Sequence, residues 1–191
     1  MRKYLLHVLI ISFVFLLAPT AQVASYAGAI EDAKEEVRNN PDDAKAHYNL
    51  GNAYHKSGKH KKAIESYKYA IRLDPDFALA HGSLGNAYDD LGKHEEAIDS
   101  YKQAIRIDPD FAEAHYNLGY AYGNSGKYEE TIESYKQAIR IDPDYAEAHN
   151  NLGLAYVLSN DRASALEQYE ILKSLDPDPE MASVLFNEIY K

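Results

Sequence analysis

Four histidines recur along the chain at a constant spacing, and histidine is a common metal ligand and proton-transfer group. They lie 34 residues apart, at His47, His81, His115 and His149. Two ligands of one zinc ion each lie about 2.0–2.1 Å from the metal, whereas neighbouring helices pack about 8–10 Å apart. If each histidine lies on a helix of its own, the spacing indicates a packing role and predicts no metal site.

A second register with the same spacing carries three amides and one hydroxyl: Asn49, Ser83, Asn117 and Asn151. An amide offers one acceptor and two donors, so it can pair with both polar groups of a peptide bond whatever side chains the peptide carries. An extended chain rises about 3.3 Å per residue, so one amide would meet a bound peptide every few residues. Two interpretations stay open: a ladder that grips a peptide backbone, interrupted by Ser83, and a well-solvated consensus position.

Catalytic patterns are absent from the sequence. There is no glycine-rich phosphate loop, no Gly-x-Ser-x-Gly and no His-Glu-x-x-His, and without cysteine there is no thiolate nucleophile. The carboxylate pairs Glu95-Glu96 and Glu129-Glu130 begin predicted helices, where the helix dipole favours acidic residues. A net charge of −10 disfavours nucleic acid and anionic lipid as partners. We therefore expect a non-enzymatic protein without a cofactor.

The recurring residues belong to a repeat of 34 residues. Its glycines are Gly51, Gly85, Gly119 and Gly153, its tyrosines Tyr54, Tyr88, Tyr122 and Tyr156, and its prolines Pro75, Pro109, Pro143 and Pro177. The segment SYKQAIRIDPD occurs twice, beginning at Ser100 and at Ser134. A fixed period of this length is typical of stacked helical repeats.

Each repeat contains two helical windows. In the second repeat the first window carries a stripe at 3, 4 and 7 spacing, made of His81, Leu84, Gly85 and Tyr88. The partner stripe is made of Ile98, Tyr101, Ala104 and Ile105. Because Gly85 and Ala97 are small, we expect the two helix backbones to approach closely.

The turns carry their own signals. Gly58, Gly92 and Gly126 follow the first helices, where a left-handed C-cap favours glycine. Asp110 with Glu113, and likewise Asp144 with Glu147, is spaced like a capping box that opens the next helix. The proline of each Asp-Pro-Asp ends the preceding helix.

These residues resemble the tetratricopeptide-repeat family, whose pattern is aromatic-x-x-Leu-Gly-x-x-Tyr followed by Ala, an aromatic residue, Ala and Pro. The resemblance implies an all-α fold, a right-handed solenoid of antiparallel helix pairs. Its four full repeats are predicted at 44–77, 78–111, 112–145 and 146–179, after a degenerate leading half-repeat at 28–43. The fourth repeat is the least regular, because Asn160 and Leu172 stand where the pattern prefers Gly and Ala.

A final helix is predicted at 180–191, and the core of stacked repeats needs such a cap. We expect Met181, Val184 and Leu185 to cover the last repeat while Glu180, Asn187 and Lys191 face water.

The resemblance also implies a groove on the inner face of the first helices that binds a protein or an extended peptide. The groove residues are predicted to be Lys45, Asn49, Asn52, Ser83, Asn86, Tyr116, Asn117, Tyr120, Asn150 and Asn151. The amide register is similar to the asparagine ladder of O-linked N-acetylglucosamine transferases, which grips peptide backbones. The two-carboxylate clamp of chaperone-binding repeats is not present, because the positions where it needs cations hold Gly82, Glu113, Asn117 and Glu147. Self-association through the repeat ends is a further interpretation.

Residues 1–27 have the layout of a secretory signal peptide. Arg2 and Lys3 precede an apolar stretch at 4–18, and small residues follow it. The stretch is shorter than the roughly 18–20 residues of a spanning helix, which favours cleavage over an uncleaved, outward-facing membrane anchor. The sequence thus predicts a binding scaffold of the cell envelope, periplasmic or extracellular. The alternative is a substrate-gripping accessory subunit of an envelope glycosyltransferase or assembly complex.

Overall fold

The computed structural model describes residues 24–175 and 179–191. These residues form helices joined by short turns, and no strand occurs among them. The predicted signal peptide lies outside the described residues except for its last four positions, which belong to the first helix. Among the described helices, none combines the length and the hydropathy that crossing a membrane requires.

The helices follow one another in pairs. They are α1 (24–39), α2 (Ala44–Lys56), α3 (His60–Leu73), α4 (Ala78–Asp89), α5 (His94–Ile107), α6 (Ala112–Asn124), α7 (Tyr128–Ile141), α8 (Ala146–Leu158), α9 (Arg162–Leu175) and α10 (Pro179–Ile189).

The chain divides into two compact units, Met1–Pro75 and Asp76–Lys191, called here unit 1 and unit 2. In unit 1, α2 packs against α3. In unit 2, α4 packs against α5, α6 against α7 and α8 against α9, and each pair stacks on the next through α5 on α6 and α7 on α8. The expected all-α fold of stacked helix pairs is confirmed.

The turns inside the pairs are closed by residues in the left-handed region. Gly58, Gly92 and Gly126 have φ values of 73°, 69° and 73°, as predicted for glycine C-caps. In the fourth repeat Asn160 adopts φ 62° at the equivalent position. Asparagine tolerates this conformation better than most residues, so the departure from the repeat pattern preserves the turn.

The predicted capping boxes are wrong. The residues that precede α6 and α8, Phe111 and Tyr145, make no side-chain cap. Instead, Oδ1 of Asp108 accepts a 3.2 Å hydrogen bond from the backbone N–H of Asp110, and Asp142 does the same for Asp144. Asp108 and Asp142 therefore stabilise the turns around their prolines, and α6 and α8 begin without a side-chain cap.

The close packing of α4 on α5 has a different cause from the expected one. A Cβ added at Gly85 would lie 2.5 Å from Cε1 of Tyr101, whose side chain is only 2% exposed. The glycine therefore makes room for a buried aromatic ring, not for direct contact between two backbones. Ala97 and Ile98 complete this core with Leu118 of α6.

Helix α10 packs against α8 and α9 at the end of unit 2. Ala182, Leu185 and Ile189 are buried there together with Leu172 of α9. Val184 is 51% exposed, against expectation. Residues 182, 185 and 189 form one helical stripe, and position 184 falls outside it.

Candidate peptide-binding site

In unit 1 the predicted groove residues are held by neighbouring side chains. Nδ2 of Asn49 donates to both carboxylate oxygens of Glu36 on α1, at 3.3 and 3.2 Å. Oδ1 of Asn52 accepts a 2.7 Å hydrogen bond from the hydroxyl of Tyr67 on α3. Lys45 is exposed in the first turn of α2. The two amides thus connect three successive helices, and both line a pocket of about 450 Å³ together with Glu36.

In unit 2 a chain of hydrogen bonds joins the second repeat to the third. Oδ1 of Asn86 on α4 accepts from the hydroxyl of Tyr101 at 2.7 Å. It also accepts from Nδ2 of Asn117 on α6 at 3.1 Å. Ser83, one turn before Asn86, is half-buried on the same helix. One amide oxygen therefore holds the second helix of its own repeat and the first helix of the next.

The third and fourth repeats are joined in a similar way. Nδ2 of Asn151 on α8 donates to the hydroxyl of Tyr116 on α6 at 2.9 Å, and Oδ1 of Asn151 accepts from Nδ2 of Asn150 at 3.1 Å. The Tyr116 ring also lies against Tyr145, with ring centroids 5.0 Å apart. The predicted residues Tyr116, Asn150 and Asn151 thus form one cluster between α6 and α8.

The ladder amides therefore have structural partners that the sequence analysis did not foresee. Asn117 gives one N–H to Asn86, while its Oδ1 and second N–H have no partner among the described residues. Asn49 likewise keeps Oδ1 without one in the described part of the chain. An amide has enough donors and acceptors to serve a neighbouring helix and a ligand at once.

A mainly apolar pocket lies between α6 and α8, and the sequence did not predict it. Tyr120, Leu154 and Leu158 form its rim. The rest of its lining consists of Gly123 and Asn124 of α6, Tyr128, Thr131 and Tyr135 of α7, and Asn151 and Ala155 of α8. Tyr120 is 48% and Leu158 71% exposed. The signal is the register that holds Asn52 and Asn86 in the first two repeats, because it turns aromatic at Tyr120 and aliphatic at Leu154.

Acidic side chains set the electrostatics around this pocket. Burial raises the pKa of Tyr145 to about 12, and the negative charges of Glu113 and Glu147 add to the effect. The pKa of Tyr116 is raised in the same direction by burial and by Glu147, against the hydrogen bond from Asn151. The tyrosine hydroxyls are therefore neutral at physiological pH and remain hydrogen-bonding groups.

His47, His115 and His149 hold the turns that precede their helices. Nε2 of His47 donates to the carbonyl of Pro41 at 2.8 Å, and His115 and His149 donate to Pro109 and Pro143 at 3.1 and 3.0 Å. The His47 ring also stacks on Tyr69, with centroids 4.1 Å apart. Because a carbonyl can only accept, Nε2 carries the proton in these rings and offers no lone pair to a metal.

The histidines near the turns contact the other helix of their own pair. Nδ1 of His94 lies 2.6 Å from a carboxylate oxygen of Asp89, and the rings of His55 and His60 make an edge contact with centroids 5.3 Å apart. Each of the three is half-buried, because it faces its own hairpin partner.

Comparison with solved structures gives several similar proteins. A crystal structure of MamA is 30% identical, with a TM-score of 0.75 over 80% of this chain and 89% of that one. MamA 41-end from Desulfovibrio magneticus RS-1 is 25% identical, with a TM-score of 0.73 over 79% and 85%. The first TPR of Spaghetti (RPAP3), bound to the HSP90 peptide SRMEEVD, is 27% identical, with a TM-score of 0.58 over 59% and 89%.

Sequence comparison leads to the same family. The profile described as TPR repeat matches residues 51–92, 85–126 and 124–160, and two profiles described as tetratricopeptide repeat match 33–65 and 146–179. No curated protein sequence matches the chain. The repeat profiles span more than half of the chain, and the stacked helix pairs agree with them. The chain belongs to the tetratricopeptide-repeat family.

Proposed function

We propose that this protein is a non-catalytic scaffold that binds an extended segment of a partner protein on the first helices of its repeats. The observation that carries the proposal is the pocket rimmed by Tyr120, Leu154 and Leu158. Large apolar side chains left exposed around a depression are typical of interaction sites. Amides lie beside the pocket, and such side chains fix the orientation of a bound chain.

A related structure supports a peptide as the ligand. The Spaghetti (RPAP3) repeat domain is bound to the HSP90 peptide SRMEEVD. The present chain shares the helix-pair fold and carries amides on its first helices. It carries Glu113 and Glu147 in the first turns of α6 and α8, so we expect it to select a different peptide.

The amide register adds recognition of the peptide backbone to this proposal. Asn117 keeps an acceptor and one donor beside its bond to Asn86. A net hydrogen bond contributes about 0.5–1.5 kcal/mol, so one such amide changes affinity by about two- to tenfold. In this arrangement the pocket selects the side chains of the ligand, while the amides bind its backbone whatever its sequence.

We also propose that the protein is exported and acts in the cell envelope or outside the cell. Arg2, Lys3 and the apolar stretch at 4–18 support this assignment. The measurement is mass spectrometry of the protein from an envelope fraction, where a mature start between residues 26 and 30 is expected. A full-length chain released by salt alone would contradict both cleavage and anchoring.

The binding face is tested by site-specific photo-crosslinking in cells. A photoreactive residue at Tyr120 should form an adduct with a partner protein, whereas the same residue at Glu133, exposed on α7, should not. Adding Asn117→Ala to the protein that carries the photoreactive residue at position 120 should lower the yield of this adduct. An adduct at Glu133 and none at Tyr120 would place the partner on the second helices and refute the proposal.

A further inference from the structure

Lysine and arginine are distributed unevenly between the two helices of each pair in unit 2. The first helices α4, α6 and α8 contain no lysine or arginine. Their acidic residues are Asp89, Glu113 and Glu147. The second helices carry carboxylates together with cations, such as Lys102 and Arg106 on α5. The face formed by the first helices of unit 2 is therefore negative.

Two of these carboxylates have no cation of their own. Glu113 and Glu147 are exposed and form no ion pair with another described residue. Asp89, in contrast, contacts His94. Both glutamates contribute to the raised pKa of Tyr145 after burial, which places their charge near the tyrosine cluster between α6 and α8. A cationic ligand would find uncompensated negative charge at this place.

The carboxylates and the apolar pocket lie on the same helical stripes. On α6 the stripe runs through Glu113, Tyr116, Asn117, Tyr120 and Asn124, at the 3, 4, 7 and 11 spacing of one helix face. On α8 the equivalent stripe runs through Glu147, Asn150, Asn151, Leu154 and Leu158. Each stripe thus begins with a carboxylate, continues through amides and ends at the pocket. The pocket has a cavity volume of about 290 Å³, which is near the lower limit of about 300 Å³ for ligand pockets.

We propose that this face of unit 2 binds a cationic, extended peptide segment, with lysine or arginine beside Glu113 and Glu147 and one large apolar side chain in the pocket between Tyr120, Leu154 and Leu158. The proposal rests on the proposed function and adds the chemistry of the partner. Complementary charge favours a basic segment and rejects an acidic one. The pocket supplies the affinity, because burying one large apolar side chain changes binding by about ten- to a hundredfold.

The repeat geometry sets the spacing of the cations in the ligand. Glu113 and Glu147 are equivalent residues of successive repeats, and neighbouring helices lie about 8–10 Å apart. An extended peptide covers that distance in about three residues. Unit 1 lacks this chemistry, because its first helix α2 carries Lys45 and Lys56 on the equivalent stripe. The preference for a cationic segment therefore belongs to unit 2.

The test is a titration of the full chain with three synthetic peptides, followed by amide NMR and calorimetry. The probe is Ser-Lys-Gly-Phe-Lys-Gly-Ser. Its two controls replace both lysines by glutamate, or the phenylalanine by serine. We expect the probe to shift amide signals of α6 and α8, and each control to bind at least about tenfold more weakly. Equal or tighter binding of the glutamate peptide would overturn the inference.

Matched variants separate the stripe from the bulk charge. Glu113→Lys with Glu147→Lys should weaken the probe at least about tenfold. Asp99→Lys with Glu133→Lys changes the net charge equally on exposed positions of α5 and α7 and should leave the affinity within about twofold. Leu158→Asp changes the pocket at a highly exposed side chain, so the fold should persist. The probe should then bind no more tightly than the control peptide in which serine replaces the phenylalanine. Equal effects of the two charge-reversal pairs would overturn the inference.

Three further outcomes separate failure of this inference from failure of the proposed function. If the glutamate peptide binds while Tyr120 still crosslinks to a partner, the scaffold function survives and the cationic ligand is wrong. If the probe instead dissociates a dimer of the chain in light scattering, the face belongs to self-association and the inference falls. Absence of any adduct at Tyr120 in cells would remove the function and the inference together.

Discussion

Gly85 in the second repeat and Gly153 in the fourth occupy equivalent positions, yet different side chains cover them. The Tyr101 ring lies over Gly85 from the second helix of the same repeat. Over Gly153 the nearest atoms belong to Leu185, which comes from α10. The repeat glycine therefore leaves room for a large side chain, and the residues around the glycine determine which side chain occupies that room.

Two neighbouring positions explain why a leucine of α10, and not the tyrosine of the same repeat, covers the glycine in the fourth repeat. The hydroxyl of Tyr101 has an acceptor because Asn86 follows Gly85, whereas the apolar Leu154 follows Gly153 and would leave a buried hydroxyl unpaired. Leu172, fully buried on α9, stands where the second repeat has the small Ala104. The tyrosine of the fourth repeat, Tyr169, packs instead against Phe186 of α10.

The largest effect is expected from valine at the two glycines. In Gly85→Val the new side chain would overlap the buried Tyr101 ring, and overpacking costs about 1–3 kcal/mol. The loss should spread, because stacked repeats depend on their neighbours. Gly153→Val would displace Leu185 of the terminal helix α10, so we expect a cost near 1 kcal/mol that is confined to α10. Thermal melts measure both, at about 2–4 °C per kcal/mol for a chain of this size.

Gly123→Ala is the matched control for these substitutions. Its Cβ would meet Thr131 at an ordinary distance of 3.6 Å, and alanine is a better helix former than glycine by about 1 kcal/mol. The control should therefore be neutral or stabilising. Equal melting temperatures for Gly85→Val and the unaltered chain would refute the account of the Tyr101 contact.

Much of the fold follows from the spacing of residues in the sequence, whereas the identity of the side chain that covers each repeat glycine does not. The 34-residue period and the turn glycines identify the helix pairs, because helical stripes and left-handed caps are local properties. The sequence also marks Gly85 as a small residue within a stripe. It does not show that Tyr101 or Leu185 lies above the glycine, since that depends on helix rotation and on an acceptor at Asn86.

The candidate site was predictable to a similar degree. Asn117 and Asn151 can be assigned to the first-helix face from their register. Their bonds to Asn86 and Tyr116 cross from one repeat to the next, so they require the stacking distance between helices. The pocket at Tyr120 needed both the register and the position of α8. Long-range contacts of this kind have no local signature in a single sequence.

Alkaline titration offers a second way to examine the buried tyrosine. Burial raises the pKa of Tyr101, and the charges of Asp89, Asp90 and Glu113 add to the shift. The unfolded chain ionises its tyrosines near pH 10, while the folded chain keeps the Tyr101 proton. Below about pH 10 this difference in pKa does not reduce the free energy of unfolding. Above about pH 10 it lowers the free energy of unfolding by about 1.4 kcal/mol for each pH unit. Melts at about pH 11 should show a smaller decline for Tyr101→Phe than for the unaltered chain, and identical declines would contradict the assignment.

The smallest expected effect comes from removing one hydroxyl at neutral pH. Tyr101→Phe keeps the ring over Gly85 but removes the donor to Asn86, so we expect a loss of about 0.5–1.5 kcal/mol. Asn86 still accepts from Asn117, which places the loss at the lower end. Tyr169→Phe removes a hydroxyl that makes no hydrogen bond to a described residue and should change stability by less than about 0.5 kcal/mol. Urea midpoints at unchanged slope measure the two differences; if Tyr169→Phe costs more than Tyr101→Phe, the hydroxyl acceptor is not what separates the second repeat from the fourth.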